Sequence, residues 1–397
     1  MSEWKKVKLG EISQTIQTGP FGSQLHQSDY SVIGIPVVMP KDIIAGNIEE
    51  ASIARVEQHH IDRLSRHMIS YGDILYARRG DVGKCAFTKQ NQEGWLCGTG
   101  CLRVTINPDM ANPQFVFFQL QKQETIGWIT NHAIGSTMLN LNTTILSNAP
   151  VEIPSLRIQN RIVKILSRYD SLIENYQKQI KLLEEAAQRL YKEWFVDLHF
   201  PGHENTNIID GVPEGWEKKK LHKIAEVVMG SSPKSEFYNN DKQGLPFHQG
   251  VGSYGTRFVD DNVYSTSITR LAEPNSILFS VRAPVGRLNI TKNKVIIGRG
   301  LAAMNHKDGF QSFLFYMLKE RFFMDNIIGN GSIFASISKV ELLDQEFIVP
   351  PMKTIKAFES LASKLDKKIQ GVDTQLHLLT EARDRLLPKL MSGDIEI

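Results

Sequence analysis

The sequence predicts an α+β chain in which two β-rich globular units alternate with two long helices. The helices pair as an antiparallel coiled coil, and the whole is a tandem repeat with a pseudo-two-fold axis. Three observations predict it: one phrase occurs twice, further matches follow it in the same order, and the last part of each copy has helical apolar spacing. The phrase is GDILYARRGDVGK (Gly72–Lys84), answered by NSILFSVRAPVGR (Asn275–Arg287). Each has an apolar strand-like run, an arginine (Arg79, Arg282), then Val-Gly and a basic residue (Lys84, Arg287).

The other matches are collinear. Trp4 through Ile12 answers Trp216 through Ile224, Gly34-Ile35-Pro36 answers Gly244-Leu245-Pro246, and Gly98-Thr99-Gly100 answers Gly298-Arg299-Gly300. Phe115–Leu120 answers Phe313–Leu318. From Gly135-Ser136 and Gly331-Ser332 the offset holds without a gap through Asp170 and Asp366 to Arg189-Leu190 and Arg385-Leu386. Insertions therefore fall early in each copy, as loops allow, while the later part stays in register, as a packed helix requires.

The early parts carry short apolar runs between Gly, Pro, Asn and Ser clusters, the pattern of strands and turns, with helix near Phe115–Gln121 and Phe313–Lys319. The later parts are amphipathic. In the first, Ile162, Ile165, Tyr169, Leu172, Tyr176, Ile180, Leu183, Ala187, Leu190 and Trp194 recur at three and four residues. In the second, Phe358, Leu361, Leu365, Ile369, Val372, Leu376, Leu379, Ala382 and Leu386 do the same. Pro154 and Pro201 punctuate one run and Pro350-Pro351 precedes the other. At ~1.5 Å per residue each helix is about 50–60 Å long. Boundaries fall at 1–153, 154–200, 201–349 and 350–397. The seam is assigned to Ile165, Tyr169, Leu172, Tyr176, Leu183, Leu190, Leu361, Leu365, Val372, Leu379 and Leu386, and a pseudo-two-fold makes the pair antiparallel.

Composition excludes some classes and favours few. Forty-six basic against 43 acidic residues leave a net charge of +3, so local patches matter more than the total. No apolar run resembles a signal-peptide core or approaches the ~20 residues of a membrane span, and the reading is cytoplasmic. The three cysteines, Cys85, Cys97 and Cys101, read as buried free thiols, not as a disulfide framework or a zinc site. No phosphate loop, dinucleotide fingerprint, H-E-x-x-H or amino-methyltransferase [DN]-P-P-[YFW] motif occurs. The expectation is a non-catalytic chain with no catalytic residue and no metal site.

The globular parts instead offer loops mixing Arg or Lys with Ser, Thr, Asn, Gln and aromatics: TGPFGSQLHQSDY, YARRGDVGK, GSSPKSEFYNND and FHQGVGSYGTR. Arginine forks and amides read guanine and adenine edges, and glycine lets backbone N–H groups approach phosphates. The candidates for DNA contact are Ser23, Gln24, Lys41, Arg78, Arg79, Lys84 and Thr99 in the first copy. In the second they are Lys234, Gln249, Tyr254, Arg282, Arg287 and Arg299. Arg79 and Arg282, common to both copies, read as backbone-positioning; Arg78, facing Val281, reads as a base reader.

Taken together, TGPFGSQL after an N-terminal W-x-x-V-x-L-G-E-I, GDILYARRGDVGK, GSTMLNLN, IPSLRIQNRIVKIL and their tandem order resemble the specificity subunits of type I restriction–modification enzymes. The resemblance spans the chain. It implies that each globular unit is a target recognition domain reading one half of a bipartite asymmetric sequence in double-stranded DNA, with the helices as a ruler for the spacer. It implies no cofactor on this chain. Two modification subunits carry S-adenosylmethionine and methylate adenine, and restriction subunits use ATP and Mg. One departure stands out: the family's glutamine near the first helix start, Gln159, is matched by Ile355 in the second copy, so the two helix starts are not expected to make equivalent partner contacts. Two other readings remain: a nuclease or methyltransferase with a degenerate site in the globular units, and a coiled-coil adaptor that never touches DNA.

Overall fold

The computed structural model describes residues 4–135, 139–322 and 336–395. Ser136–Met138 of GSTMLNLN and the Gly331-Ser332 match lie outside the described residues. The chain divides into two compact units, Met1–Glu174 with His377–Ile397, and Asn175–Leu376. That partition differs from the four consecutive segments read from the sequence. Both long helices, Leu156–Phe195 and Met352–Ser392, are continuous, but each contributes its two halves to different cores.

In unit 1 the central element is the strand Ile74–Ala77, all four residues of which are buried. It pairs antiparallel with Cys101–Ile106 on one side and Cys85–Phe87 on the other, and Ser13–Thr18 completes the sheet. A strand covered on both faces is a continuous apolar run, as ILYA is. A second sheet holds Ile35–Val38, whose end runs parallel to Leu96–Cys97. Unit 2 repeats the plan. Ile277–Ser280, also wholly buried, lies between Leu301–His306 and Leu288–Ile290, with Ala225–Met229 outermost. Leu245–His248 again runs parallel to Val295–Ile297. The helices Pro113–Leu120 and Gln311–Phe322 bury Phe115–Leu120 and Phe313–Leu318 against these sheets.

Within each unit, positions on one long helix fall as their contacts on the other rise. In unit 1, Ile162 and Leu166 share a core with Leu390 and Met391, and Asp170 Oδ1 lies 3.1 Å from Arg383 Nη1. In unit 2 the Tyr191 and Phe358 rings are 5.8 Å apart, while Glu184 and Asp366 both face Arg257. The buried or half-buried series runs Ile162, Leu166, Tyr169, Ile173, Tyr176, Ile180, Leu183, Ala187, Leu190, Trp194 on the first helix. On the second it runs Ile355, Phe358, Ala362, Leu365, Ile369, Val372, Leu376, Leu379, Arg383, Leu386, Leu390. Both alternate steps of three and four, a heptad pattern.

This corrects two seam assignments. Leu172 is 47% and Leu361 43% exposed, and their neighbours Ile173 and Ala362 are buried instead. Ile165 is half-buried beside the fully buried Leu166. Where two apolar residues adjoin, steps of three and four both fit, and only the facing surface selects one.

The two helix starts are held differently. Gln159 is buried; its Oε1 accepts from the Asn112 N–H at 2.8 Å and its Nε2 donates to the Pro154 carbonyl at 2.8 Å. Ile355 is buried in the apolar core of unit 2, where Glu359 instead accepts from the backbone of Ser312 and Phe313. The glutamine departure thus concerns an internal tie, not a surface contact.

Candidate nucleic-acid interface

One edge of the four-stranded sheet gathers the duplicated loops in each unit. In unit 1 these are Gly19–Gln24, Met39–Lys41, Arg78–Lys84 and Gly98–Gly100. The Gly19 N–H donates to the Cys101 carbonyl at 2.9 Å, Gly98 to Val38 at 2.9 Å and Arg78 to Gly100 at 2.7 Å. Unit 2 makes the same bonds at its own edge. Gly230 donates to Leu301 at 2.9 Å, Gly298 to His248 at 2.8 Å and Val281 to Gly300 at 2.9 Å.

Glycine at 19 and 230 is required by that closeness. A Cβ would stand 2.1 Å from the Gly98 carbonyl oxygen in one unit and 2.1 Å from that of Gly298 in the other. The glycine-rich steps at 98–100 and 298–300 therefore serve loop packing and not a nucleotide cradle.

The basic turns diverge within this frame. In unit 1 Gly80 takes φ +76°, and Lys84 pairs with Asp81 at 3.0 Å on the surface. In unit 2 Ala283-Pro284 replaces Gly80-Asp81, and Ser280 ties the turn by donating to the Pro284 carbonyl at 2.6 Å and accepting from Arg287 N–H at 2.8 Å.

Of the candidate side chains, Ser23, Arg79 and Lys84 are exposed on the unit 1 edge. Gln24 is half-buried, its Oε1 accepting from Phe21 N–H, and Lys41 donates to the Ser52 carbonyl at 3.1 Å. Arg78 is half-buried with Nε buried and unpartnered, and the Thr99 hydroxyl is likewise buried and unpartnered among the described residues. In unit 2, Lys234 is exposed and Arg287 half-buried. Gln249, Arg282 and Arg299 come together around a cleft of about 170 Å³ that also includes Val251 and Ala283.

Two residues of FHQGVGSYGTR are not where exposed-looking loops would place them. The Tyr254 hydroxyl is buried without a partner among the described residues and its ring packs on the core, so it presents no donor to a ligand at the surface. Burial also pushes its phenol well up. Arg257 is 2% exposed, 2.6 Å from Asp366, with its guanidinium over the Phe315 ring at 3.6 Å. It is a core anchor.

Buried histidines that the sequence did not single out hold both edges. His67 faces the Thr18 carbonyl at 3.0 Å and accepts from Arg66 Nε at 3.0 Å; burial, then Arg66, lowers its pKa. His248 bridges Ser253 Oγ at 2.8 Å and Asp261 Oδ1 at 3.0 Å, fixing the loop that carries Gln249. Burial works against the Asp261 carboxylate, but hydrogen bonds from His248 and Asn293 outweigh it and hold its pKa low. No spacing signature marks either histidine, because each partner set is assembled by the fold.

All three cysteines are free and buried, and burial pushes the Cys85 and Cys97 thiols up to about 12. No group of three or more metal-ligating side chains occurs among the described residues. No described helix is long and apolar enough to cross a membrane.

A family model described as the type I restriction modification DNA specificity domain matches residues 1–185 and again 213–376. The type I restriction enzyme MjaIX specificity subunit of Methanocaldococcus jannaschii is 28% identical over 417 residues, covering 100% of this chain and 94% of that one. The HindI specificity subunit of Haemophilus influenzae is 21% identical over 472 residues, with both chains covered in full. In fold, the chain is similar to the S subunit of a type I restriction–modification system from M. genitalium, with a TM-score of 0.63 at 17% identity over 98% of this chain and 96% of that one.

Two DNA specificity domains in tandem, each carrying its loops on one sheet edge, define a protein that supplies specificity and not catalysis. The chain belongs to the type I restriction–modification specificity subunit family.

Proposed function

We propose that the chain recognises a bipartite, asymmetric double-stranded DNA site, one half-site per unit, and that the two long helices act as an antiparallel coiled-coil ruler for the spacer between them. The observation that carries this reading is the repeated loop edge: one backbone frame, built twice in one chain, with different side chains on it. Readers on a two-fold frame meet one face of DNA about 34–36 Å apart, a span that helices of 40 and 41 residues can bridge. In this reading the chain also scaffolds two modification subunits, which bind S-adenosylmethionine and methylate adenine, and restriction subunits that use ATP and Mg. It works in the cytoplasm. A modest net charge fits, since partners can share phosphate neutralisation.

The test is to purify the chain with its modification partner and map methylated adenines. A two-part motif with a fixed gap is expected; methylation by this chain alone would favour the degenerate-enzyme reading. One heptad inserted in each helix at the boundary between the units, after Glu174 and after Leu376, should then lengthen the gap by about three base pairs, since seven residues add ~10 Å and DNA rises ~3.4 Å per pair. Both half-sites should keep their bases. A change in the bases instead would separate recognition from the units and refute the ruler.

A further inference from the structure

The shared backbone bonds make the two edges comparable residue by residue. Because Gly98 reaches Val38 as Gly298 reaches His248, Met39 corresponds to Gln249. Because Arg78 reaches Gly100 as Val281 reaches Gly300, Thr99 corresponds to Arg299, and Arg79 to Arg282. The frame is thus common to both units, the arginine at 79 and 282 is common too, and three positions differ in chemical kind: Met39 against Gln249, Thr99 against Arg299, and Arg78 against Val281.

A group present in both copies suits what every DNA segment presents, the phosphate backbone. Groups present in one copy suit what differs between segments, the base edges. In unit 2 the differing groups are gathered at one cleft. Gln249 and Arg299 are both exposed there, and neither side chain has a partner among the described residues. Val281, 4% exposed, leaves that place apolar.

The main chain beneath both side chains is fixed. Gly300 N–H donates to the Gln249 carbonyl at 3.1 Å, His248 is pinned by Ser253 and Asp261, and Ser232 Oγ accepts from Arg299 N–H at 3.1 Å. A planar guanidinium on a rigid loop is pre-organised for a two-pronged contact, so less freedom is lost on binding.

Resting on the half-site reading above, we infer that Arg299 and Gln249 are the base-reading pair of unit 2. Arg299 addresses O6 and N7 of a guanine in the major groove, and Gln249 the edge of a neighbouring base, while Arg282 holds a phosphate. The half-site of unit 2 therefore contains a guanine for which unit 1, with Thr99, has no counterpart at the matching place.

The experiment uses the complex with its modification partner, methylated-adenine mapping, and DNA titration at two salt concentrations. Arg299→Thr installs the residue of unit 1. It should lower discrimination for guanine at one position of one half-site by about 5- to 150-fold, the range of a good bidentate pair. The other half-site and the gap should not change. Arg282→Ala should weaken all sequences alike and reduce the slope of log affinity against log salt by about one. Both residues are exposed, and unchanged thermal melting confirms that each variant folds. A uniform loss for Arg299→Thr, no loss, or a change in the other half-site would overturn the inference while leaving a bipartite wild-type motif intact. Absence of any bipartite motif with the wild-type chain would instead overturn the half-site reading, and this inference with it.

Discussion

Unit 1 and unit 2 share a backbone plan, but each closes its long helices with a different charged tie. In unit 1 Asp170 and Arg383 meet with side chains 31% and 30% exposed. In unit 2 the tie is drawn inward. Arg257 leaves the loop where a surface residue was expected, lies 2% exposed, and meets Asp366 at 2.6 Å, with Tyr316 donating to the same carboxylate oxygen at 2.7 Å. The helix starts differ as well, Gln159 serving in one unit and Glu359 in the other. Duplication conserved the sites where backbone meets backbone, such as Gly19 and Gly230, and let the side chains that fasten and read drift apart.

The largest effect that would test this contrast is on the buried tie. Arg257→Met should cost about 3–5 kcal/mol, because removing one partner strands Asp366 and Glu184 near the core; the exposure left to Asp366 favours the lower end. Arg383→Met should cost only about 0–1 kcal/mol, as half-exposed pairs do. Urea unfolding of both variants checks it, and equal costs would erase the distinction. A smaller, symmetrical effect is expected at the shared frame. Gly19→Ala and Gly230→Ala should each cost about 1–3 kcal/mol by forcing a Cβ against a carbonyl. Hydrogen exchange localised to each unit would show whether the two losses match.

The smallest effect is on pH. Burial lowers the pKa of His67 in unit 1 and His306 in unit 2. Below about 6.5, the ordinary histidine value, the unfolded chain binds protons that these folded sites resist. Stability should therefore fall as pH drops through that value, and His67→Gln should flatten the trend for unit 1 in melting curves taken from pH 7.5 to 5.5.

Much of this was legible in the residues. Repeat order, strand runs and helix lengths are local or collinear signals, and parts of the loops chosen for their mix of arginine, amide and glycine, around Gly19, Arg78, Gly230 and Gln249, do lie at matching edges. What the sequence concealed depended on distant partners. Arg257 finds Asp366 109 residues away, and no local pattern tells that arginine from Arg282. Tyr254 looked like a polar aromatic in a glycine-rich loop, but the apolar surface beneath it took its ring. The seam slipped at Leu172 and Leu361 because each adjoins another residue that satisfies the same period.

The partition of the long helices also sets an order of assembly. Unit 2 is one uninterrupted stretch, Asn175–Leu376, whereas unit 1 needs Leu390 and Met391 to fill the core around Ile162 and Leu166. A chain leaving the ribosome from its N-terminus delivers everything unit 2 requires before unit 1 has its share of the last helix, from His377 onward. Domains commonly close in the order in which they are made; here the half synthesised first is the half completed last.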